Sequence, residues 1–143
     1  MSDSTGGGRV LSAREVIDRY YEYANQGDWE LWLGLFSDDV VGDEQLPGHF
    51  SGIDFLRGVV DAIGKGYSKF KMYPQRVVVE GDAGCVIWRF DAANGAGTPI
   101  GYPTDPKRPV IGANYFQVNN GKIVYLRTVH DPSPFKPFTD QLK

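Results

Sequence analysis

Apolar residues recur at helical spacing in the first part of the chain and alternate with polar residues in the second part. Ser12 and Glu15 have the spacing of a capping box, and the apolar positions that follow recur every three or four residues as far as Gly27. This pattern predicts a first helix. Asp28 has the side chain of an N-cap, and the apolar stripe after it ends at Phe36, which predicts a second, short helix.

A third helical pattern lies near the middle of the chain. Residues 40–46 are predicted to be extended, and Pro47-Gly48 is predicted to form a turn. After Ser51-Gly52 the apolar residues return to helical spacing, and the glycines at 64 and 66 end the run. We expect a helix that presents Phe55, Leu56, Val59, Val60 and Ile63 to the core.

Alternation dominates from Tyr67 onward and predicts four antiparallel strands over residues 69–80, 85–92, 110–118 and 122–129. The fold class is therefore α+β. The Gly- and Pro-rich segment 94–109 fits either a mobile lid or a long hairpin connection. We expect Phe135 and Phe138, in an irregular C-terminal segment, to close over one end of the domain.

The composition limits the class of protein and the binding partners that we expect. With 143 residues, we expect one domain over 12–131, a disordered tail over 1–11 and an irregular tail over 132–143. A net charge of −3 offers no basic surface for nucleic acid. One cysteine and two distant histidines predict neither a disulfide nor a metal site, and the N-terminus has no pattern of a signal peptide or membrane anchor. The expectation is a cytoplasmic protein without a cofactor.

The order of helices and strands resembles the nuclear-transport-factor-2-like proteins, and in particular their SnoaL-like polyketide-cyclase and ketosteroid-isomerase branches. The residues that carry the resemblance are Tyr20, Gly27-Asp28, the segment Phe36-Ser37-Asp38-Asp39 and the closing Gly121-Lys122-Ile123-Val124. It covers roughly residues 13–131 and implies a cone-shaped barrel, a curved mixed sheet wrapped around three helices, with a pocket for a hydrophobic small molecule. It also implies a homodimer.

Three positions match the catalytic residues of ketosteroid isomerases. Tyr20 matches the tyrosine that binds the oxyanion, and Glu44 stands where the isomerases have an aspartate base. Asn114 stands where they keep a neutral aspartic acid as a hydrogen-bond donor. An amide donates without a shifted pKa, so the resemblance implies that Asn114 retains the donor role, although this change weakens the case for steroid isomerisation.

Glu44 is the candidate general base, because burial raises the pKa of a carboxyl group toward neutrality and strengthens it as a base toward a carbon acid. The alternative is that Glu44 is a solvated residue at the end of a strand. A one-residue change of register would place Asp43 in the pocket instead. For Tyr20, the alternative is an aromatic residue of the helix core.

The last strand supplies further candidates. Leu126, Thr128 and His130 are in phase, so they share a face, and the resemblance implies that this face lines the pocket. SnoaL-like cyclases carry an acid–base residue on late strands, which adds His130 and Asp131 to the candidate catalytic residues. A structural histidine at the mouth of the pocket is the alternative for His130. His49 is either a cover of the pocket or an exposed loop residue.

Aromatic residues complete the predicted pocket. Trp88 alternates with Val86 and Phe90, and the charge of Arg89 on the other face indicates that the Trp88 face is buried. We expect Trp88 and Phe116, with Phe55, to form an apolar wall for the substrate, although such residues also serve as plain core.

These observations predict a cofactor-independent cyclase of polyketide or antibiotic biosynthesis. It would bind a hydrophobic carbonyl compound and close a ring by general acid–base chemistry and by holding the reactive conformation. Two alternatives are an isomerase of the ketosteroid type and a non-catalytic module for ligand binding or dimerisation.

Overall fold

The computed structural model describes residues 9–101 and 108–135, and in this part of the chain three helices pack into the concave face of one curved sheet. The helices are α1 (Ala13–Gln26), α2 (Trp29–Leu33) and α3 (Ile53–Gly66). The strands are β1 (Phe36–Glu44), β2 (Gly48–Ser51), β3 (Tyr67–Glu80), β4 (Ala83–Asn94), β5 (Val110–Asn119) and β6 (Lys122–His130), and a short 3-10 helix follows at Ser133–Phe135.

The helix ends form as the sequence predicts. The Ser12 hydroxyl accepts a hydrogen bond from the Glu15 amide, and the Glu15 carboxylate accepts one from the Ser12 amide. Gly27 ends α1 with φ 72°, a left-handed conformation that glycine adopts without strain. The Asp28 carboxylate caps α2 through the Leu31 amide.

The six described strands are arranged in the order β2-β1-β6-β5-β4-β3, and the sheet is not closed. All neighbouring pairs are antiparallel except β1 and β6, which are parallel. The predicted cone therefore takes the form of an open, strongly curved mixed sheet. β6, the last strand along the chain, lies between the first strand and β5.

Two local predictions were wrong. Residues 36–39 were expected to end α2 and break, but β1 begins at Phe36, which pairs with Ile123 of β6. The segment after Pro47 was expected to be only a turn, but Gly48–Ser51 forms β2 at the sheet edge.

The core lies between the helices and the concave face. Its largest fully buried side chains include Ile17 of α1, Leu56 of α3 and Phe116 of β5. Phe135 is also buried, and its ring lies 5.6 Å from that of Phe90, so it closes one end of the core as expected. Phe138, residues 102–107 of the segment 94–109 and residues 1–8 of the predicted N-terminal tail lie outside the described residues.

Candidate active site

A cavity of about 220 Å³ opens between the helices and the concave face of the sheet. Helices α1 and α2 form one wall, α3 with Leu46 and Pro47 forms a second, and β3 to β6 form the floor. Its apolar side chains gather around α3 and β3, and its polar side chains lie on the central strands. They are Glu44, Asn114, Thr128 and His130, with Tyr20 above them on α1.

The register of the sheet brings the polar residues together. Glu44 of β1 pairs with Thr128 of β6, and Thr128 pairs with Asn114 of β5. Paired residues on one face of a sheet have Cβ atoms about 5 Å apart, so the three side chains form one row across three strands. The structure thus assembles a site from positions 44, 114 and 128.

Glu44 is the only carboxyl group among the described residues that line the cavity. Its side chain keeps some solvent-accessible surface where it borders the open cavity, and protein atoms surround the rest of it. Burial raises the pKa of Glu44 to about 7, and the Thr128 hydroxyl, which donates to Oε1 at 3.0 Å, acts in the opposite direction. At neutral pH a substantial fraction of Glu44 is ionised, as a general base requires.

Asp43 lies on the outer, convex face. Its carboxylate accepts hydrogen bonds from the Tyr125 hydroxyl at 2.6 Å and from the Arg127 guanidinium at 3.3 Å, and it lies 3.0 Å from His49 Nδ1. The hydrogen bonds from Tyr125, His49 and Arg127 lower the pKa of Asp43 to about 2. Of the two carboxyl groups, Glu44 is therefore the one that lies in the cavity.

Tyr20 lines the cavity near Glu44. Burial raises the pKa of the Tyr20 hydroxyl, the nearby Glu44 raises it further, and Asn114 acts in the opposite direction. The hydroxyl is therefore protonated throughout the accessible pH range and is available as a hydrogen-bond donor. The Tyr20 ring also packs against Phe116 at 5.0 Å, so Tyr20 is a core residue as well as a cavity residue.

The structure changes the expected role of Asn114. Its Nδ2 donates to the Tyr21 hydroxyl at 2.8 Å, and Oδ1 is buried without a hydrogen-bond partner among the described residues. Tyr21 is not among the cavity residues. One amide hydrogen is thus engaged by a residue that sequence reasoning missed, and the amide oxygen is the unpaired atom.

His130 borders the cavity beside Trp88 and Phe135, with ring centroids 6.2 and 4.8 Å away. Its Nδ1 lies 3.0 Å from the Asp131 carbonyl oxygen. Since a carbonyl only accepts hydrogen bonds, Nδ1 carries the proton and Nε2 is the acceptor. Burial lowers the pKa of His130, so the neutral form dominates at neutral pH and the ring is a base rather than an acid.

Four of the predicted site residues lie outside the cavity lining. Phe116 packs beneath Tyr20 in the core, and Phe55 stacks on Phe50 at 4.7 Å instead of facing the cavity. His49 is exposed on the convex side, and the Asp131 carboxylate accepts hydrogen bonds from Ser133. The lining does include the expected Trp88, Leu126 and Thr128.

Sequence reasoning missed several lining residues. Three of them lie on α3: Leu56, Val59 and Ile63. They are three and then four residues apart, which is the spacing of side chains on one face of a helix. The other missed residues are mostly aromatic and come from several elements, so no single spacing relates all of them. They are Trp29 and Trp32 of α2, Tyr67, Phe70 and Met72 of β3, and Ala24, Leu46, Pro47, Phe90 and Phe135.

The described residues contain no cluster of three or more His, Cys, Asp or Glu side chains that would hold a metal ion. Within the same ranges no helix is both long and apolar enough to span a membrane.

Residues 17–126 match the family model of the SnoaL-like domain. The chain belongs to the SnoaL-like domain family. The family lies within the nuclear-transport-factor-2-like fold, which the sequence resemblance predicted and the structure confirms. A comparison with curated protein sequences gives no match.

Solved structures with the same fold include an NTF2-like protein from Burkholderia thailandensis E264, with a TM-score of 0.75, 15% identity, and coverage of 91% of this chain and 98% of that one. A putative polyketide cyclase from Pseudomonas putida KT2440 has a TM-score of 0.68, 20% identity, and coverage of 85% and 92%. An LEH-like epoxide hydrolase from M. tuberculosis has a TM-score of 0.70, 15% identity, and coverage of 91% and 91%. The fold thus serves enzymes of different chemistry, and the residues of the cavity have to decide the function of this chain.

Proposed function

We propose that this chain is an enzyme without a cofactor that removes a proton from carbon next to a carbonyl group and so closes a ring in a hydrophobic natural-product precursor. The observation that carries the proposal is Glu44, a carboxylate with a pKa of about 7 in a largely apolar cavity. The similarity to the putative polyketide cyclase from Pseudomonas putida KT2440 supports the substrate class.

The steps follow from the positions of the side chains. Thr128 holds one oxygen of Glu44, which leaves the other for the substrate. Glu44 takes the proton, and the Tyr20 hydroxyl donates to the enolate oxygen that forms. The carbanion then attacks a second carbonyl of the same molecule, and protonated Glu44 returns the proton to the new alkoxide. The aromatic walls hold the chain of the substrate in the bent conformation that this attack needs.

The base can be tested without the natural substrate. 5-Nitro-1,2-benzisoxazole is a flat, apolar carbon acid, and removal of its C3 proton breaks the N–O bond and releases a coloured nitrophenolate. We expect kcat/KM to rise with pH around an apparent pKa of about 7, the value of Glu44. Glu44→Gln should reduce kcat/KM about 100-fold or more.

Asp43→Asn is the matched control, because it removes the neighbouring carboxylate on the other face of the same strand. It should leave the rate unchanged. Equal rates for the wild type and Glu44→Gln would refute the proposal and favour a ligand-binding module. If the base is confirmed, synthetic linear polyketones test ring closure. The ring-closed product has the mass of the substrate, so carbon NMR should show one carbonyl carbon replaced by a carbon that bears a hydroxyl group, whereas double-bond migration without a new ring would indicate an isomerase.

We also propose that the chain forms a homodimer through the convex face. Ile87, Ile111 and Val129 lie on the adjacent strands β4, β5 and β6 and are 47%, 52% and 47% exposed. Their side chains share one face, and a second copy would cover this apolar patch. Light scattering after size exclusion should show a dimer for the wild type and a monomer for Ile111→Asp.

A further inference from the structure

Three side chains of the described residues bury a nitrogen or oxygen atom without a hydrogen-bond partner: Trp32 Nε1, Trp88 Nε1 and Asn114 Oδ1. These residues are 5%, 2% and 0% exposed. Each of the three lines the cavity. Buried polar atoms in folded proteins are almost always paired, so three unpaired atoms around one cavity indicate a ligand that pairs them.

Trp88 and Asn114 are close neighbours in this arrangement. The Trp88 indole leans from β4 over β5, because a Cβ built at Gly112 would lie 2.4 Å from Cζ2 of the indole. Cζ2 and Nε1 are bonded to the same ring carbon, so the edge that carries Nε1 lies over β5. Asn114 is the next residue of β5 on the same face, about 7 Å further along the strand.

The two atoms have opposite hydrogen-bonding character. The indole N–H of Trp88 donates only, and the amide oxygen of Asn114 accepts only. A ligand with an acceptor oxygen and a donor hydroxyl a few ångströms apart would pair the two atoms through hydrogen bonds of about 2.9 Å each. Trp32 adds a second donor from the helix wall.

We propose that Trp88 and Asn114 select a ligand that carries a carbonyl oxygen and a hydroxyl group on nearby carbons, such as an enolised 1,3-diketone or a hydroxyaryl ketone. The carbonyl accepts from Trp88 Nε1 and the hydroxyl donates to Asn114 Oδ1. A hydrocarbon body with one isolated ketone satisfies only one of these atoms and binds less well. Only the statement that this ligand is the substrate rests on the proposed function. The selection of the ligand is measured by binding alone, without catalysis.

The choice of probes follows from this pattern. 1-Phenylbutane-1,3-dione carries the enol and the carbonyl on an apolar phenyl body, and 1-phenylbutan-1-one lacks one of the two oxygens. Titration calorimetry on the full chain should show that the diketone binds the wild type about tenfold or more tightly than the monoketone. In Asn114→Leu, which lacks the acceptor for the hydroxyl group, this preference should fall about tenfold. Trp88→Phe should weaken the binding of both probes, because both carry the carbonyl group that accepts from Trp88 Nε1.

Trp29→Phe is the matched control, since Trp29 also lines the cavity and its indole nitrogen is not among the buried unpaired atoms. It should bind both probes more tightly than Trp88→Phe does. Because Trp88→Phe also removes core volume, the indole N–H resonance of Trp88 in the wild type provides a second measurement. We expect it to move downfield when either probe is bound, because each carries a carbonyl group.

Equal affinities of the wild type for the two probes would overturn the inference, as would an Asn114→Leu variant that keeps the preference for the diketone or a Trp88→Phe variant that binds both probes as tightly as the wild type. Repeating the titrations with Glu44→Gln separates this inference from the proposed function. A preference that persists in that variant, together with an absence of base catalysis in the wild type, leaves the ligand pattern standing and rejects the enzyme. Catalysis without the preference rejects only the ligand pattern.

Discussion

Replacing Glu44 by glutamine should stabilise the folded protein at alkaline pH, because burial of the carboxylate costs free energy whenever the group is ionised. The pKa of Glu44 is raised from the ordinary value of 4.5 to about 7. This difference corresponds to ~3 kcal/mol between the protonated and ionised forms.

The sign follows from proton binding. Between pH 4.5 and 7 the folded wild type holds a proton on Glu44 that the unfolded chain has released, so the free energy of unfolding falls as the pH rises through this window. Below the window the group contributes nothing, and above it the full penalty of ~3 kcal/mol is present. Glutamine does not titrate and keeps an oxygen for the Thr128 hydroxyl.

The assay is urea unfolding of the wild type and Glu44→Gln at several pH values from 5 to 8.5. The difference in the free energy of unfolding, variant minus wild type, should grow by roughly 2 to 3 kcal/mol over this range and level off above pH 7.5. In thermal melts the variant should gain roughly 10 °C over the wild type at the alkaline end, relative to pH 5.

Asp43→Asn provides the comparison on the same strand. Hydrogen bonds lower the pKa of Asp43 to about 2, so this residue stabilises the fold above pH 4 and loses that contribution only as the pH falls toward 2. Its difference from the wild type should be flat between pH 5 and 8.5. A flat curve for Glu44→Gln as well would refute the reasoning, because the carboxylate would then be as well solvated in the folded protein as in the unfolded chain.

Three further changes test other parts of the structure. Thr128→Val removes the hydroxyl that stabilises ionised Glu44, so the pH dependence of benzisoxazole cleavage should move up by about one pH unit, and an unmoved profile contradicts the hydrogen bond. Gly112→Ala places a Cβ 2.4 Å from the Trp88 indole, so it should cost ~2 kcal/mol in urea unfolding and alter tryptophan emission, whereas unchanged values show that the ring does not cross β5. Ser12→Ala removes the cap of α1 and should lower the free energy of unfolding by ~1 kcal/mol, with no effect on the cleavage rate.

The sequence predicted the elements whose signals are local. The capping box of α1 and the alternation of Val86, Trp88 and Phe90 in β4 both appear in the structure as expected. The same alternation on β6 placed Thr128 and His130 on one face, and the family resemblance implied that this face lines the pocket. Local spacing is enough in these cases because each element has one face that must be buried.

Signals that depend on distant partners were misread. Phe36 completes the helical spacing of α2, and the acidic residues after it have low strand propensity, so the segment resembled a helix end. Pairing with β6 overrides both preferences: Phe36 is in register with Ile123, whose amide donates to the Leu35 carbonyl at 2.8 Å. No feature of the sequence near residue 36 indicates that this segment pairs with β6.

The candidate site was also predictable only where its signals are local or come from the family resemblance. The resemblance to the ketosteroid isomerases identified Glu44, but period-two alternation needs a known register to separate Glu44 from Asp43, and the parallel pairing with β6 supplies it. The unpaired atoms of Trp88 and Asn114 depend on contacts between separate strands. They become visible only when the positions of all the surrounding side chains are known.

The insertion of β6 between β1 and β5 has a consequence for how the site forms during folding. Glu44 and Thr128 are 84 residues apart in sequence, and until β6 takes its place β1 lacks a strand neighbour on that side. Until β1 and β6 pair, the Glu44 carboxylate lacks the Thr128 hydroxyl and the neighbouring strand that surround it in the folded protein, so part of its loss of hydration accompanies this pairing. Alkaline pH should therefore slow the pairing of β6 with β1 or hasten its release, while α1, α2 and the β3–β4 hairpin should assemble at rates that do not depend on the ionisation of Glu44.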